Sequence, residues 1–183
     1  TAHECSLPTA APTHAPSASP TFVPTSAPTS ISHQDIAMCD LIASTNMKDR
    51  KRDLALTGWE CGPNGVAIGL CGSVGWTGVT CSGDRIVELF IGATGLNGTL
   101  PSTLGLLSDL EILFLGFNSL SGPLPDLSRM HKLNRFVSRS CQFTGTIPSH
   151  YGDLLALSAL IINRADLTGT IPTSLGKLTN IIN

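Results

Sequence analysis

The sequence is poor in charge. Asp, Glu, Lys and Arg make up only 13% of its 183 residues, and the formal net charge is −2. A nucleic-acid binder concentrates Lys and Arg on one face to displace counterions from phosphates, so nucleic acid is excluded as a partner. The one basic run, KDRKRD from Lys48, interleaves Asp49 and Asp53 with its cations and reads as a solvated helix face. Long apolar runs are missing too. LLALSALII is the longest, well short of the ~18 residues of a membrane-spanning helix. The chain opens on Thr1 with no recognisable leader, as expected of a processed or excerpted chain.

Reactive chemistry is equally scarce. There is no H-E-x-x-H, no G-x-S-x-G and no His-Cys-Asp grouping, and three of the five histidines lie in the first 33 residues. GTIPTSLGKL echoes a phosphate-binding loop, but six residues rather than four separate Gly169 from Gly176, and Leu178 follows Lys177. No C-x-x-C or paired His accompanies Cys61, Cys71 and Cys81, which argues against a metal site. The expectation is a chain with no catalytic residue, no metal and no cofactor.

What is present is a repeat. LNGTLP, LSGPLP, FTGTIP and LTGTIP place Gly98, Gly122, Gly145 and Gly169 at intervals of 24, 23 and 24 residues, and Pro101, Pro125, Pro148 and Pro172 keep step. Ahead of each motif runs an L-x-x-L-x-L pattern: Ile86, Leu89, Ile91; Leu110, Leu113, Leu115; Leu133, Phe136, Ser138; Leu157, Leu160, Ile162. The L-x-L alternation fits a short strand with every second side chain buried. One such unit cannot bury its leucines alone, so the units must stack on a shared core. Repeat three, with Ser138 in a leucine slot and Tyr151 where repeats one and four carry Leu104 and Leu175, is expected to be the least well packed. His131 and His150 fall at repeat edges and read as solvated.

The signature L-x-x-L-x-L-x-x-N-x-L-x-G-x-[IL]-P, clearest from Leu110 to Pro125, resembles the plant-type leucine-rich repeat. CGSVGWTGVTCSGDRIVEL from Cys71 is similar to the N-terminal cap of that class. The resemblance implies an α/β solenoid: a right-handed superhelix with a parallel sheet on its concave side, closed by a disulfide-stapled cap. It also implies a Cys71–Cys81 bond. A Cys39–Cys61 bond would staple the cap helix, Cys141 reads as a buried free thiol, and Cys5 is left without a partner; six cysteines allow fifteen pairings. Six cysteines in a chain with few charges point to an oxidising compartment, extracellular or at the cell surface.

The organisation expected is a Pro/Thr/Ser-rich stalk over residues 1–31, a cap over 32–85 and repeats over 86–183. The repeat units are 86–109, 110–132, 133–156 and 157–180, with a fifth starting at 181. In the stalk, prolines from Pro8 to Pro28 recur every fourth residue, a composition that stays disordered and extended. It reads as an O-glycosylated stalk or as an unmodified linker. Ser32 with Asp35 resembles a helix-capping box, followed by Ile36, Cys39 and Ala43 on one helix face. That helix, Trp59, Trp76 and a turn at Gly83-Asp84 seal the first repeat. Because Ile181 begins a fifth unit, the chain reads as the N-terminal part of a longer solenoid, with Leu157, Leu160, Ile162 and Leu167 facing water.

Function must come from the exposed strand positions. Phe90, Phe114, Val137 and Ile161 are expected on the concave face, with Arg135, Arg139 and Arg164 on neighbouring columns and Glu88 and Glu111 nearer the cap. An apolar stripe beside arginines suits an extended peptide carrying an acidic group. Asn97-Gly98-Thr99 is the single N-glycosylation sequon and matters only on secretion. The leading reading is an extracellular module binding a protein or peptide, similar to the start of a leucine-rich-repeat receptor ectodomain. The alternatives are a structural wall or adhesion protein, with cell-wall glycan as partner, and a secreted inhibitor of wall-degrading enzymes.

Overall fold

The computed structural model describes residues 31–47, 56–73 and 75–182. Residues 1–30, which hold Cys5 and most of the expected stalk, and residues 48–53 of the basic run lie outside the described residues. After helix α1 (His33–Ser44) come nine strands. They are β1 (Val79–Ser82), β2 (Arg85–Phe90), β3 (Asn97–Thr99), β4 (Ile112–Phe114), β5 (Ser119–Pro123), β6 (Arg135–Val137), β7 (Gln142–Gly145), β8 (Ala159–Ile161) and β9 (Asp166–Leu167). They form two sheets, one ordered β1-β2-β4-β6-β8 and the other β3-β5-β7-β9. Within the repeats every pairing is parallel, whereas β1 runs antiparallel to β2 across the Gly83-Asp84 turn. A repeat thus supplies one strand to each sheet, as the two extended motifs of its sequence require.

Between the sheets lies one continuous core. Ile86, Leu89, Ile91, Leu110, Leu113, Leu115, Leu133, Phe136 and Leu157 are all buried, the strand leucines meeting their counterparts one repeat away. Burying each such side chain contributes ~1.5–3 kcal/mol, and that gain exists only once neighbouring units stack. Short 3₁₀ turns at Ser102–Leu106, Ser149–Asp153 and Thr173–Lys177 follow Pro101, Pro148 and Pro172. Repeat two is one residue shorter and instead closes with the Ser128 amide donating to the Asp126 carboxylate at 2.9 Å.

The cap closes the first repeat. Ser32 caps α1 and Asp35 returns the hydrogen bond, a full capping box. The buried face of α1 is Ala37, Met38, Leu41 and Ile42, not the expected Ile36, Cys39 and Ala43. Cys39 is drawn to the helix side by its bond to Cys61, which shifts the core-facing stripe to the neighbouring residues. Cys71 and Cys81 form the second bond. Trp59 and Trp76 pack with ring centroids 4.8 Å apart, and each indole N–H donates to a backbone carbonyl, of Thr77 and Ile68 respectively.

Repeat three is well packed, contrary to the expectation from Ser138 and Tyr151. Phe136, Phe143 and Tyr151 are all fully buried, as is Ser138, and the Phe136 ring meets Tyr151 edge-on with centroids 6.1 Å apart. The Tyr151 hydroxyl donates to the Pro125 carbonyl at 2.8 Å, so its burial leaves no orphan. The Ser138 hydroxyl is buried without a hydrogen-bond partner, as is the Nε2 of His150 in the same repeat. The less covered unit is repeat four, where Leu160, Ile162, Leu167 and Leu175 are half-buried. Leu157, expected to face water with them, is fully buried under repeat three. Leu160, Leu175, Leu178 and Ile181 line an open apolar groove of about 330 Å³ at this end.

Candidate functional site

The parallel register joins the four expected stripe residues. Phe90 pairs with Phe114, Phe114 with Val137, and Val137 with Ile161. They alternate with the buried Leu89, Leu113 and Phe136 and the half-buried Leu160, so the pleat turns them to the opposite face of the sheet. Phe90 and Phe114 stack with centroids 5.9 Å apart, and Phe90 remains 45% exposed. Val137 is only 5% exposed, so the stripe is interrupted by a buried position between the more open Phe114 and Ile161.

A glycine sets the shape of this surface. A Cβ on Gly92 would lie 2.1 Å from the Phe114 ring, so the ring packs directly against the Gly92 backbone and any larger residue would displace it. The loop that leaves each strand then takes a left-handed residue in every repeat: Ala93, Phe117, Ser140 and Arg164 all have positive φ. Phe117 stands 53% exposed there with φ +62°. Sequence reading passed over it because it lies outside the L-x-L strand pattern; its signal was its place next to the Asn slot, where an exposed apolar residue is unusual.

The three arginines stand at different backbone positions. Arg135 shares a column with Glu88, Ile112 and Ala159, two residues before Val137. Arg139 lies two residues after Val137, where its backbone carbonyl accepts from the Phe117 amide. Arg164 sits one repeat further on, in the left-handed position. Along the chain Arg135 and Arg139 thus stand on either side of Val137, with Arg164 in the next repeat. Among the described residues none of the three is in an ion pair.

Cations on the flank of the solenoid are, by contrast, engaged. Asp109 accepts from Lys132 at 2.6 Å and Arg85 at 2.7 Å, linking the cap with repeats one and two, and Lys177 holds Asp153 at 2.8 Å. The Lys132 and Arg85 hydrogen bonds hold the Asp109 carboxyl below the usual range, and Lys177 does the same for Asp153. Asp126 is lowered chiefly by the backbone N–H of Ser128. His131 is exposed as expected, but His150 is not a solvated edge residue. Its ring meets Tyr151 edge-on at 5.3 Å, with Nε2 3.2 Å from Asp126 but off the hydrogen-bond direction. Burial pushes the Tyr151 hydroxyl and the Cys141 thiol up, so neither is a reactive anion. Among the described residues no three His, Cys, Asp or Glu side chains converge as a metal site, and no helix is long and apolar enough to cross a membrane.

No protein-family model matches the chain. Over 90 residues, 45% of its length, it is 36% identical to the LRR receptor-like serine/threonine-protein kinase GSO2 of Arabidopsis thaliana, of which it spans 7%. Among solved structures it is similar to the BIR3–SERK2 complex from Arabidopsis thaliana, with a TM-score of 0.66 and 27% identity over 80% of this chain and 77% of that one. The plant peptide hormone receptor RGFR1 in complex with RGF2 gives a TM-score of 0.54 and 30% identity over 58% of this chain and 20% of that one. The chain is a capped leucine-rich-repeat solenoid with the architecture of plant receptor ectodomains. It spans a small part of the curated relatives it matches.

Proposed function

We propose that the chain is an extracellular recognition module that binds an extended peptide along Phe90, Phe114, Val137 and Ile161. The observation that carries this reading is an in-register apolar stripe, open at Phe90, whose neighbouring arginines have no acidic partner among the described residues. Burying stacked rings supplies affinity, and a guanidinium meeting a carboxylate supplies orientation. The likeness to RGFR1, a peptide hormone receptor by name, supports the same ligand class. Two disulfides fit an oxidising compartment and hence a place outside the cell or at its surface.

Strand spacing bounds the ligand. The repeat strands β2, β4, β6 and β8 at ~4.8 Å spacing span about 14 Å, the length of roughly four extended residues. A standard protein interface covers ~800 Å² per partner, so this stretch holds a short peptide or one end of a longer one. Panning a random linear peptide library on the oxidised chain tests the reading. Enrichment of sequences with an apolar residue close to an acidic one, abolished by Arg139→Glu, is expected. Peptides that bind equally well to Arg139→Glu and Phe114→Ala would contradict it.

A further inference from the structure

We propose that Asn97 is a glycan attachment site whose oligosaccharide covers the cap-side edge of the β3-β5-β7-β9 sheet, leaving the concave face free. The inference rests on the extracellular reading, because the donor, an oligosaccharide on a lipid pyrophosphate, is met only in the secretory pathway. In the transfer the Asn97 carboxamide nitrogen bonds to the anomeric carbon of the first sugar and loses a proton. The bond from that carbon to the pyrophosphate oxygen breaks, and the lipid pyrophosphate leaves with the electron pair. Nothing is oxidised or reduced.

The fold constrains the three residues of the sequon differently. Gly98 is dictated by packing: its φ is +106°, and a Cβ would lie 2.4 Å from the Ser44 carbonyl, where β3 meets the cap through the Thr45–Gly98 bridge. Asn97 and Thr99 flank it on the outward side of β3, both exposed. The Asn97 backbone N–H is held by Asn46 at 2.9 Å, while its carboxamide takes part in no hydrogen bond among the described residues. Asn118 shows the opposite case, its carboxamide buried and fully engaged with the turn backbone. Asn97 is not required by the repeat, since the matching slots hold Ser121, Thr144 and Thr168, whereas Thr99 is the usual residue of its slot, shared with Thr146 and Thr170. The placement also decides what a glycan would block. β3 is the edge strand of one sheet, whereas Phe90 and Phe114 lie on the other. A sugar chain at Asn97 therefore screens the junction of cap and second sheet and directs partners to the concave side.

The test is secretion of the full chain from a eukaryotic host behind a host leader, followed by intact-mass measurement and peptide-N-glycosidase treatment. The expected result is a sugar mass released by the amidase, with Asn97 converted to Asp, and absent from both Asn97→Gln and Thr99→Val. O-linked sugar on Ser or Thr resists the amidase and does not confuse the reading. Secreted wild-type protein with Cys39–Cys61 and Cys71–Cys81 formed but Asn97 unmodified would overturn the proposal while leaving the peptide-binding reading intact. Loss of peptide binding on Phe114→Ala tests that reading separately.

Discussion

Asn118 holds Leu96 in place from one repeat away: its Oδ1 accepts from the Leu96 backbone N–H at 3.0 Å and from the Thr94 N–H at 3.2 Å. Its Nδ2 donates to the Ile91 and Leu115 carbonyls at 2.7 and 2.8 Å. One carboxamide thus satisfies four buried backbone groups that strand pairing leaves behind. Asn118→Leu is expected to cost about 3 kcal/mol or more, since each orphaned buried group costs ~1–3 kcal/mol. Urea unfolding measures this, and a loss under about 1 kcal/mol would mean that water replaces the carboxamide.

Ser138 makes the opposite case. Its hydroxyl is buried without a partner, so Ser138→Ala should raise stability by about 1 kcal/mol. Ser138→Leu restores the repeat pattern but should lower stability by ~1–3 kcal/mol, because it puts a larger side chain at a fully buried position in a unit that already buries Phe136, Phe143 and Tyr151. A stabilising leucine would show that repeat three contains a void.

These two residues mark how much of the molecule was legible in its sequence. The repeat, the capping box, the Gly83-Asp84 turn and the stripe column all follow from local patterns with a fixed period. Packing in repeat three does not, because whether one unit can bury Ser138 together with Phe136, Phe143 and Tyr151 depends on volumes rather than on position in the motif. The face of α1 was misread because a disulfide, not apolar periodicity, decides where Cys39 points. The arginines could be listed but not placed: three residues separate Arg135 from Arg139, and only the end of β6 at Val137 shows that Arg135 lies in the strand and Arg139 in the loop beyond it.

Acid should loosen the fold through the depressed carboxyls of Asp109, Asp126 and Asp153. Each binds a proton less readily folded than unfolded, so its stabilisation is complete above the unfolded value near 3.9 and is lost as pH falls through the lower folded value. Stability is therefore expected to be flat from neutrality to about pH 5 and to fall below about pH 4. Asp109→Asn should make that fall shallower, and so should high salt, which screens exposed pairs. An identical acid profile for Asp109→Asn would remove the Arg85–Asp109–Lys132 chain from the explanation.

The two disulfides close loops with sequence separations of 22 and 10. Chain-entropy arithmetic gives about 3 kcal/mol for each, with Cys39–Cys61 the larger by less than ~1 kcal/mol. Paired Cys→Ala variants, unfolded in denaturant, should reproduce both the size and the order. A Cys71/Cys81 double variant as stable as the parent would show that Trp76 closes the cap unaided.

The most direct measurement is titration of a peptide selected on the oxidised chain into Phe114→Ala, alongside the melting curves of Phe114→Ala and Leu115→Ala. Phe114 is expected to serve the ligand and Leu115 the core. Affinity should fall at least tenfold, about 1.4 kcal/mol, in Phe114→Ala with little change in melting temperature, while Leu115→Ala loses ~2–5 kcal/mol of stability. Undiminished binding by Phe114→Ala, or its unfolding under conditions where the parent is native, would contradict the assignment of the stripe as the binding face.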